Sequence, residues 1–200
     1  MMAILRGILL TLSCVRLIPH IVIVVGLPRD DHLRADINRW AQIVLGASKA
    51  PRTIYAFVRL MTFYPEFRNV FYYRTGWKGK VFSPLCHRMP GLLISTDSIG
   101  PGLFIQHGLA TIIAARKIGK NSWINQQVTI GFSNVSDCPT LGDNVTVCAG
   151  AKIIGDVTVG DNSVIGANAV VVKNVPPNVT VVGVPAYIVK RNGMRVRESL

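Results

Sequence analysis

The chain has 200 residues, 50% hydrophobic and only 16% charged, which excludes intrinsic disorder as its general state and allows one good-sized core or a repeat domain with a smaller companion. The formal net charge of +12 attracts polyanions, but no recognition-helix or aromatic-rich basic pattern accompanies it, so nucleic acid is not an expected partner. Cys14, Cys86, Cys138 and Cys148 are scattered without a CxxC pair, which argues against a zinc site and a disulfide framework and favours a reducing compartment.

Residues 1–27 come first. Ile8 to Leu27 is mostly apolar, but Arg16, Pro19 and His20 interrupt a run that would need about 20 clean apolar residues to span a bilayer. Val25-Gly26-Leu27-Pro28 is a poor cleavage site for a signal peptide. Two readings stay open: a helix packed on the neighbouring helical domain, or a segment lying in a membrane interface with Arg6 and Arg16 reaching anionic headgroups.

Residues 28–80 read as a helical domain. Asp30 or Asp31 caps a helix through Leu33, Ile37, Trp40, Ile43 and Val44, and Gly46 ends it. Pro51 opens a second helix with Ile54, Phe57, Val58 and Met61 on one stripe. Pro65 breaks it, Phe67, Val70 and Phe71 open a third, and Gly76 and Gly79 mark the exit. Residues 37–98 carry nine Lys/Arg against Glu66 and Asp97, an excess of seven.

Residues 81–191 follow a different grammar. Leu141, Val147, Ile153, Val159, Ile165 and Val171 recur every six residues, as do Ile118, Ile124 and Ile130, and the pair Ile99 and Ile105. Four residues after each member of the long run stands Val145, Ala151, Val157, Ser163, Ala169 or Val175, and glycine often follows directly, as at Gly142, Gly160 and Gly166. That period predicts a parallel β-helix with the aliphatic stripe stacked inside and glycine at the corners. Residues 192–200 are left as a basic tail.

The stripe gives fold; function is expected where the period breaks. From Ile105 to Ile118 is thirteen residues, twelve plus one, which places an extra residue beside Gln106-His107-Gly108. From Ile130 to Leu141 is eleven, read as an excursion over Phe132–Thr140. Solenoids accept insertions at corners, where they build sites.

At these residues the sequence resembles the serine acetyltransferase-like branch of the hexapeptide-repeat acyltransferases. IGPGLFIQHGLATII (99–113), INQQVTIGF (124–132) and NVPPNVTVVGVPAYIVK (174–190) carry the resemblance. ADINRW and FYPEFRNVFYYR carry it more loosely in the helical part. Within the branch it is most similar to exopolysaccharide O-acetyltransferases of the colanic acid type, which share the Cys138-Pro139 pair.

The resemblance implies a left-handed parallel β-helix that forms a homotrimer, with acetyl-CoA lying between protomers and no metal. His107 falls on the catalytic histidine, and an imidazole can take the proton of an attacking hydroxyl near neutral pH. Gly131 aligns with a glycine at the thiol end of the cofactor, Ala149 and Ala167 with small groove residues, and Lys190 and Arg191 with positions that meet the coenzyme phosphates. Gln106, Gln126, Gln127, Asp137 and Cys138 are the expected acceptor pocket. His20, His32 and His87 are read as structural, and a three-histidine zinc site is excluded because His107 is the single histidine of the repeats.

Departures from the serine-specific pattern decide the expected acceptor. Gln106 stands where those enzymes have Asp, Asp137-Cys138 where they have Arg-His, and residues 45–52 lack their Arg-Asp-Pro. Leu92 replaces the acid that pairs with the histidine, which leaves Asp97 as the nearest acid to orient it. The expected function is therefore acetyl transfer to a hydroxyl of a sugar or glycan precursor in polysaccharide synthesis. Its expected place is the cytoplasm, with peripheral contact at the inner face of an anionic membrane. Serine O-acetylation and a non-catalytic β-helix scaffold are the alternatives.

Overall fold

The computed structural model describes residues 2–46 and 53–200, so the expectation for Pro51 lies outside the described residues. The chain divides into two compact units, one ending at Met89 and the other running from Pro90 to Leu200.

The first unit is helical. α1 (Met2–Arg16) and α2 (Ile18–Val25) meet at a 72° bend, so the apolar N-terminal run is two helices, with Pro19 in the first turn of the second, where its missing N–H costs no helical bond. α3 (His32–Leu45) is capped by Asp31, whose carboxylate accepts from the Leu33 amide at 2.7 Å, and ends at Gly46 with φ +64°. α4 (Thr53–Phe63) buries Phe57, Val58 and Met61, but Ile54 is 45% exposed and leaves the expected stripe. α5 (Pro65–Lys80) carries Pro65 in its first turn and holds Phe67, Val70 and Phe71 as expected; Gly76, with non-helical φ +58° and ψ −137°, divides it into two helical pieces.

An aromatic cluster of Trp40, Phe57, Phe67, Phe71 and Tyr72 fills the unit, with Trp40 edge-on to Phe67 at 5.3 Å. Beside it Asp36 of α3 and Arg74 of α5 form a buried ion pair, Nε to Oδ2 at 2.8 Å, with side chains 0% and 8% exposed. His20 is buried too. The Tyr72 hydroxyl donates to the Cys86 carbonyl at 2.7 Å, so its oxygen accepts from His20 Nε2 at 3.0 Å. Burial first, and then the charge of Arg16, push the His20 pKa down against an opposing backbone hydrogen bond at Phe82.

The second unit is a parallel β-helix of about five turns, as its period predicts. Sheet A stacks β1 (Leu92–Ile94), β4 (Thr111–Ile113), β7 (Thr129–Gly131), β10 (Lys152–Ile154) and β13 (Val170–Val171). Sheet B stacks β2 (Ser98–Ile99), β5 (Lys117–Ile118), β8 (Thr140–Leu141) and β11 (Thr158–Val159). Sheet C stacks β3 (Phe104–Ile105), β6 (Trp123–Ile124), β9 (Thr146–Val147), β12 (Val164–Ile165) and β14 (Val179–Val182). β15 (Tyr187–Arg191) and β16 (Met194–Ser199) then turn back antiparallel on β14, so the expected basic tail is mostly strand.

Register makes the stripe continuous. Ile113, Ile130, Ile153 and Val171 stack in sheet A, and Ile105, Ile124, Val147, Ile165 and Val181 in sheet C, all without solvent exposure. Each such side chain contributes about 1.5–3 kcal/mol on burial.

Between sheets B and C, glycine is required by proximity. A Cβ on Gly119 would sit 2.5 Å from the Gly142 carbonyl carbon, and one on Gly160 2.5 Å from the Pro177 nitrogen. Next to this column runs one that the sequence reading missed. Asn121, Asn144, Asn162 and Asn178 all have φ between +56° and +59°, and their amides form a ladder at 3.3, 2.9 and 3.0 Å.

Candidate active site

The structure resolves the thirteen-residue spacing differently from twelve plus one. Ile113 is the inward residue of sheet A, paired with Ile130, so the steps are Ile105 to Ile113, eight, and Ile113 to Ile118, five. The corner between sheets C and A is thus widened by two residues at His107, and the next corner is short by one. At the same corner the three later coils step by six, Ile124 to Ile130, Val147 to Ile153 and Ile165 to Val171. His107 has φ +65°, and its carbonyl accepts from the Leu109 amide at 2.5 Å. A left-handed backbone at a residue with a bulky side chain is costly and clusters at functional sites. It leaves the imidazole exposed, with no hydrogen bond to the described residues.

Residues at the same corner line up below it. Strand pairing of Ile105 with Ile124 places Gln106 and His107 above Asn125, Gln126 and Gln127, and the stack continues through Ala149 and Ala167 to Gly183. Four coil spacings of about 4.8 Å make this column about 19 Å long. Ala167 is exposed and Ala149 half-buried, so the corner is floored by methyl groups. A cavity at its lower end is lined by Val170, Val184, Pro185, Ala186 and Tyr187.

Trp123, Asn125 and Lys152, none of them foreseen, stiffen the corner. The Trp123 indole N–H donates to Asn125 Oδ1 at 2.8 Å and to Gln106 Oε1 at 3.3 Å, with its ring edge-on to Phe104 at 4.7 Å. This fixes the Gln106 amide. Lys152 Nζ donates to the carbonyls of Gln127 (2.5 Å) and Gly150 (3.0 Å), so the ammonium clamps two successive coils. Gln126 Oε1 is buried without a hydrogen-bond partner, an acceptor available to a hydroxyl or ammonium donor. A lysine where the neighbouring coils have threonine or valine was the readable signal for Lys152.

The remaining predicted residues do not join His107 within one chain. Gly131 closes β7 at the corner between sheets A and B, where an added Cβ would meet nothing within 4 Å. The Phe132–Pro139 excursion leaves from that corner. Asp137, expected in the acceptor pocket, turns into its own loop: its carboxylate accepts from the Ser133 hydroxyl, the Ser133 amide (2.8 Å) and the Asn134 amide (3.0 Å). These bonds, the Ser133 hydroxyl first, hold its pKa down. The Cys138 thiol donates to the Ala114 carbonyl at 3.4 Å, and burial pushes its pKa up.

Asp97 lies between β1 and β2, at that same A–B corner and close enough to Cys138 to raise its pKa, which sets it apart from His107 within one chain. Arg191 is paired with Glu198, Nε to Oε2 at 3.2 Å, so it is not a free cation for a phosphate. Lys190 is exposed and faces the asparagine ladder with Asn162 and Asn178.

Residues 138–173 match the bacterial transferase hexapeptide (six repeats) family. The serine acetyltransferase of Staphylococcus xylosus is 45% identical over 105 residues, 50% of this chain and 49% of that protein. That of Staphylococcus epidermidis is 44% identical over 125 residues, 60% and 59%. The chain thus spans about half the length of the curated relatives it matches.

Among solved structures, Brucella abortus serine acetyltransferase aligns with a TM-score of 0.61 at 27% identity, covering 84% of this chain and 68% of that one. The same enzyme in complex with coenzyme A aligns at 0.58 and 28%, covering 80% and 66%. The Neisseria gonorrhoeae enzyme in complex with serine aligns at 0.58 and 26%, covering 80% and 68%. These relatives overturn the expected sugar or glycan acceptor in polysaccharide synthesis and favour the serine alternative. That expectation rested on groups absent from single positions, and such absences do not reveal which other groups hold an acceptor. Within the repeat unit, residues 138–173 thus match a bacterial transferase hexapeptide model, and serine acetyltransferases are among the proteins that the chain is similar to.

Proposed function

We propose that this protein transfers the acetyl group of acetyl-CoA to the hydroxyl of serine, with His107 as general base. The observation that carries the assignment is the two-residue widening of one corner, which turns a left-handed His107 outward at the head of a column floored by Ala149 and Ala167. An imidazole nitrogen takes the hydroxyl proton as the serine oxygen attacks the thioester carbonyl. The C–S bond breaks, and the departing thiolate takes that proton from the imidazolium, leaving O-acetylserine and free coenzyme A. The extended pantetheine arm fits along the column, and Gln126 Oε1 is placed to accept from the serine ammonium.

Because Gly131 and the 132–139 loop occupy a different corner, a complete pocket needs a second copy. A homotrimer in which the A–B corner of one protomer meets the C–A corner of the next supplies it. Both substrates, and four unpaired cysteines, suit the cytoplasm.

The test is a thiol-release assay with acetyl-CoA and serine alongside free sugars and nucleotide sugars. Serine is expected to be the best acceptor, and His107→Ala to lower turnover by about 10²–10⁴-fold with unchanged circular dichroism. Near-normal turnover in that variant, or preference for a sugar, overturns the reading. Light scattering, together with rescue of His107→Ala by a loop-deficient copy in mixed oligomers, tests the shared pocket.

A further inference from the structure

Helices α1 and α2 turn an apolar face outward. Ile8, Leu12, Val15, Ile18, Val22 and Val25 are 54–68% exposed, while Ser13, Leu17, His20 and Val24 on the other side are buried in the helical unit. Residues 2–29 contain no Asp or Glu, and their charges are Arg6, Arg16 and Arg29. Arg16 forms no ion pair among the described residues, and its Nε is buried without a hydrogen-bond partner. Up to Met89 the sequence has thirteen Lys/Arg against four acids, an excess of nine of the net +12. At the end of α5, Trp77 is 73% and Val81 63% exposed, beside Lys78 and Lys80. The adjoining Phe82 ring lies 6.0 Å from His20, which sets this end of α5 next to α2.

We propose that α1 and α2 dock the protein on the surface of an anionic lipid bilayer, with the apolar face at the acyl boundary and Arg16 among headgroup phosphates. A second copy is a poor occupant, since pairing this face with itself brings together two units that each carry an excess of nine positive charges. A bilayer surface supplies both the apolar boundary and the anions, and exposed tryptophan flanked by lysine suits its interface. Among the described residues no single helix is long and apolar enough to cross, and α1 and α2, which reach that length and composition only together, are bent by 72°. The 15 residues of α1 and 8 of α2 reach about 22 and 12 Å at about 1.5 Å per residue, against a hydrocarbon core of about 30 Å. The Arg34 guanidinium donates to the carbonyls of Val24 and Leu27, both at 3.0 Å, and ties the end of α2 to α3.

Flotation of the full chain with vesicles of phosphatidylcholine alone, and with about 30% phosphatidylglycerol, tests this. Binding is expected to be about tenfold stronger on the anionic vesicles and partly released by about 0.5 M salt. Ile18→Asp/Val22→Asp should lose binding about tenfold, with Arg16→Gln weakening it severalfold, while acetyl transfer and the melting curve stay unchanged. Val15→Asn/Val22→Asn serves if the first variant fails to fold. Absence of binding at low salt overturns the proposal. Retention in cell membranes through alkaline carbonate shows a spanning segment and overturns it as well. A fall in oligomer size in Ile18→Asp/Val22→Asp with vesicle binding intact assigns the face to another copy instead. Thiol release without lipid reads the enzymatic proposal separately.

Discussion

The two units reach a packed interior by opposite routes. In the β-helix each coil repeats the last, so every inward Ile, Leu or Val meets an equivalent side chain about 4.8 Å above and below, and polar corners pair with like neighbours. In the helical unit nothing repeats. Trp40 meets Phe67, Phe57 meets Phe71, and Asp36 and Arg74 find each other across 38 residues. Energy in the first is spread over many similar contacts; in the second it is concentrated in a few unlike ones. A repeat therefore tolerates a local loss that an irregular core does not.

Asp36→Ala attacks the irregular side hardest. It leaves Arg74 charged, 8% exposed and without its carboxylate, and should destabilise the helical unit by about 3–5 kcal/mol in urea denaturation. An Asp36→Leu/Arg74→Met double variant should recover most of that loss; failure to recover would mean the pair acts through other contacts. Ile153→Ala tests the regular side by opening a cavity in the middle of sheet A's stack, with an expected cost of about 2–4 kcal/mol.

Asn144→Ala should cost less, about 1–2 kcal/mol, because it loses its ladder bonds to Asn121 and Asn162 and puts alanine at φ +56°. Asn144→Gly keeps the backbone relaxed, so the gap between the two variants measures conformational strain apart from the ladder. The smallest effect is acidic. Above about pH 6.5 His20 is neutral folded or unfolded; below it the unfolded chain takes up a proton that the buried imidazole refuses. Stability should then fall by about 1 kcal/mol between pH 6.5 and 5.5. Melting curves of wild type against His20→Leu at pH 7.5 and 5.5 check this, with the pH-dependent loss confined to wild type.

The same contrast explains what could be read from residues alone. A six-residue stripe is a local pattern, so the β-helix and the break at His107 were legible. How thirteen divides into eight and five was not, because Ile112 and Ile113 are both aliphatic and only pairing with Ile130 shows which points inward. Asp97 and Asp137 stand apart from His107 within one chain for a related reason: nearness to the motifs in sequence does not say which corner a residue occupies. The asparagine column is written locally in Gly142-Asp143-Asn144 and Gly160-Asp161-Asn162, beside the glycines of the same corner. The Asp36–Arg74 pair carries no local signature.

The hairpin of β15 and β16 has a consequence for the solenoid as a whole. A stack of parallel coils ends in open amides and carbonyls that invite another stack to join on, coil upon coil, into a fibre. In sheet C that invitation is withdrawn, because β15 runs antiparallel to β14 and occupies its free edge. The new outer strand, β16, carries Arg195, Arg197 and Glu198, charges that resist further addition. The same hairpin that closes the fold is thus its guard against end-to-end polymerisation.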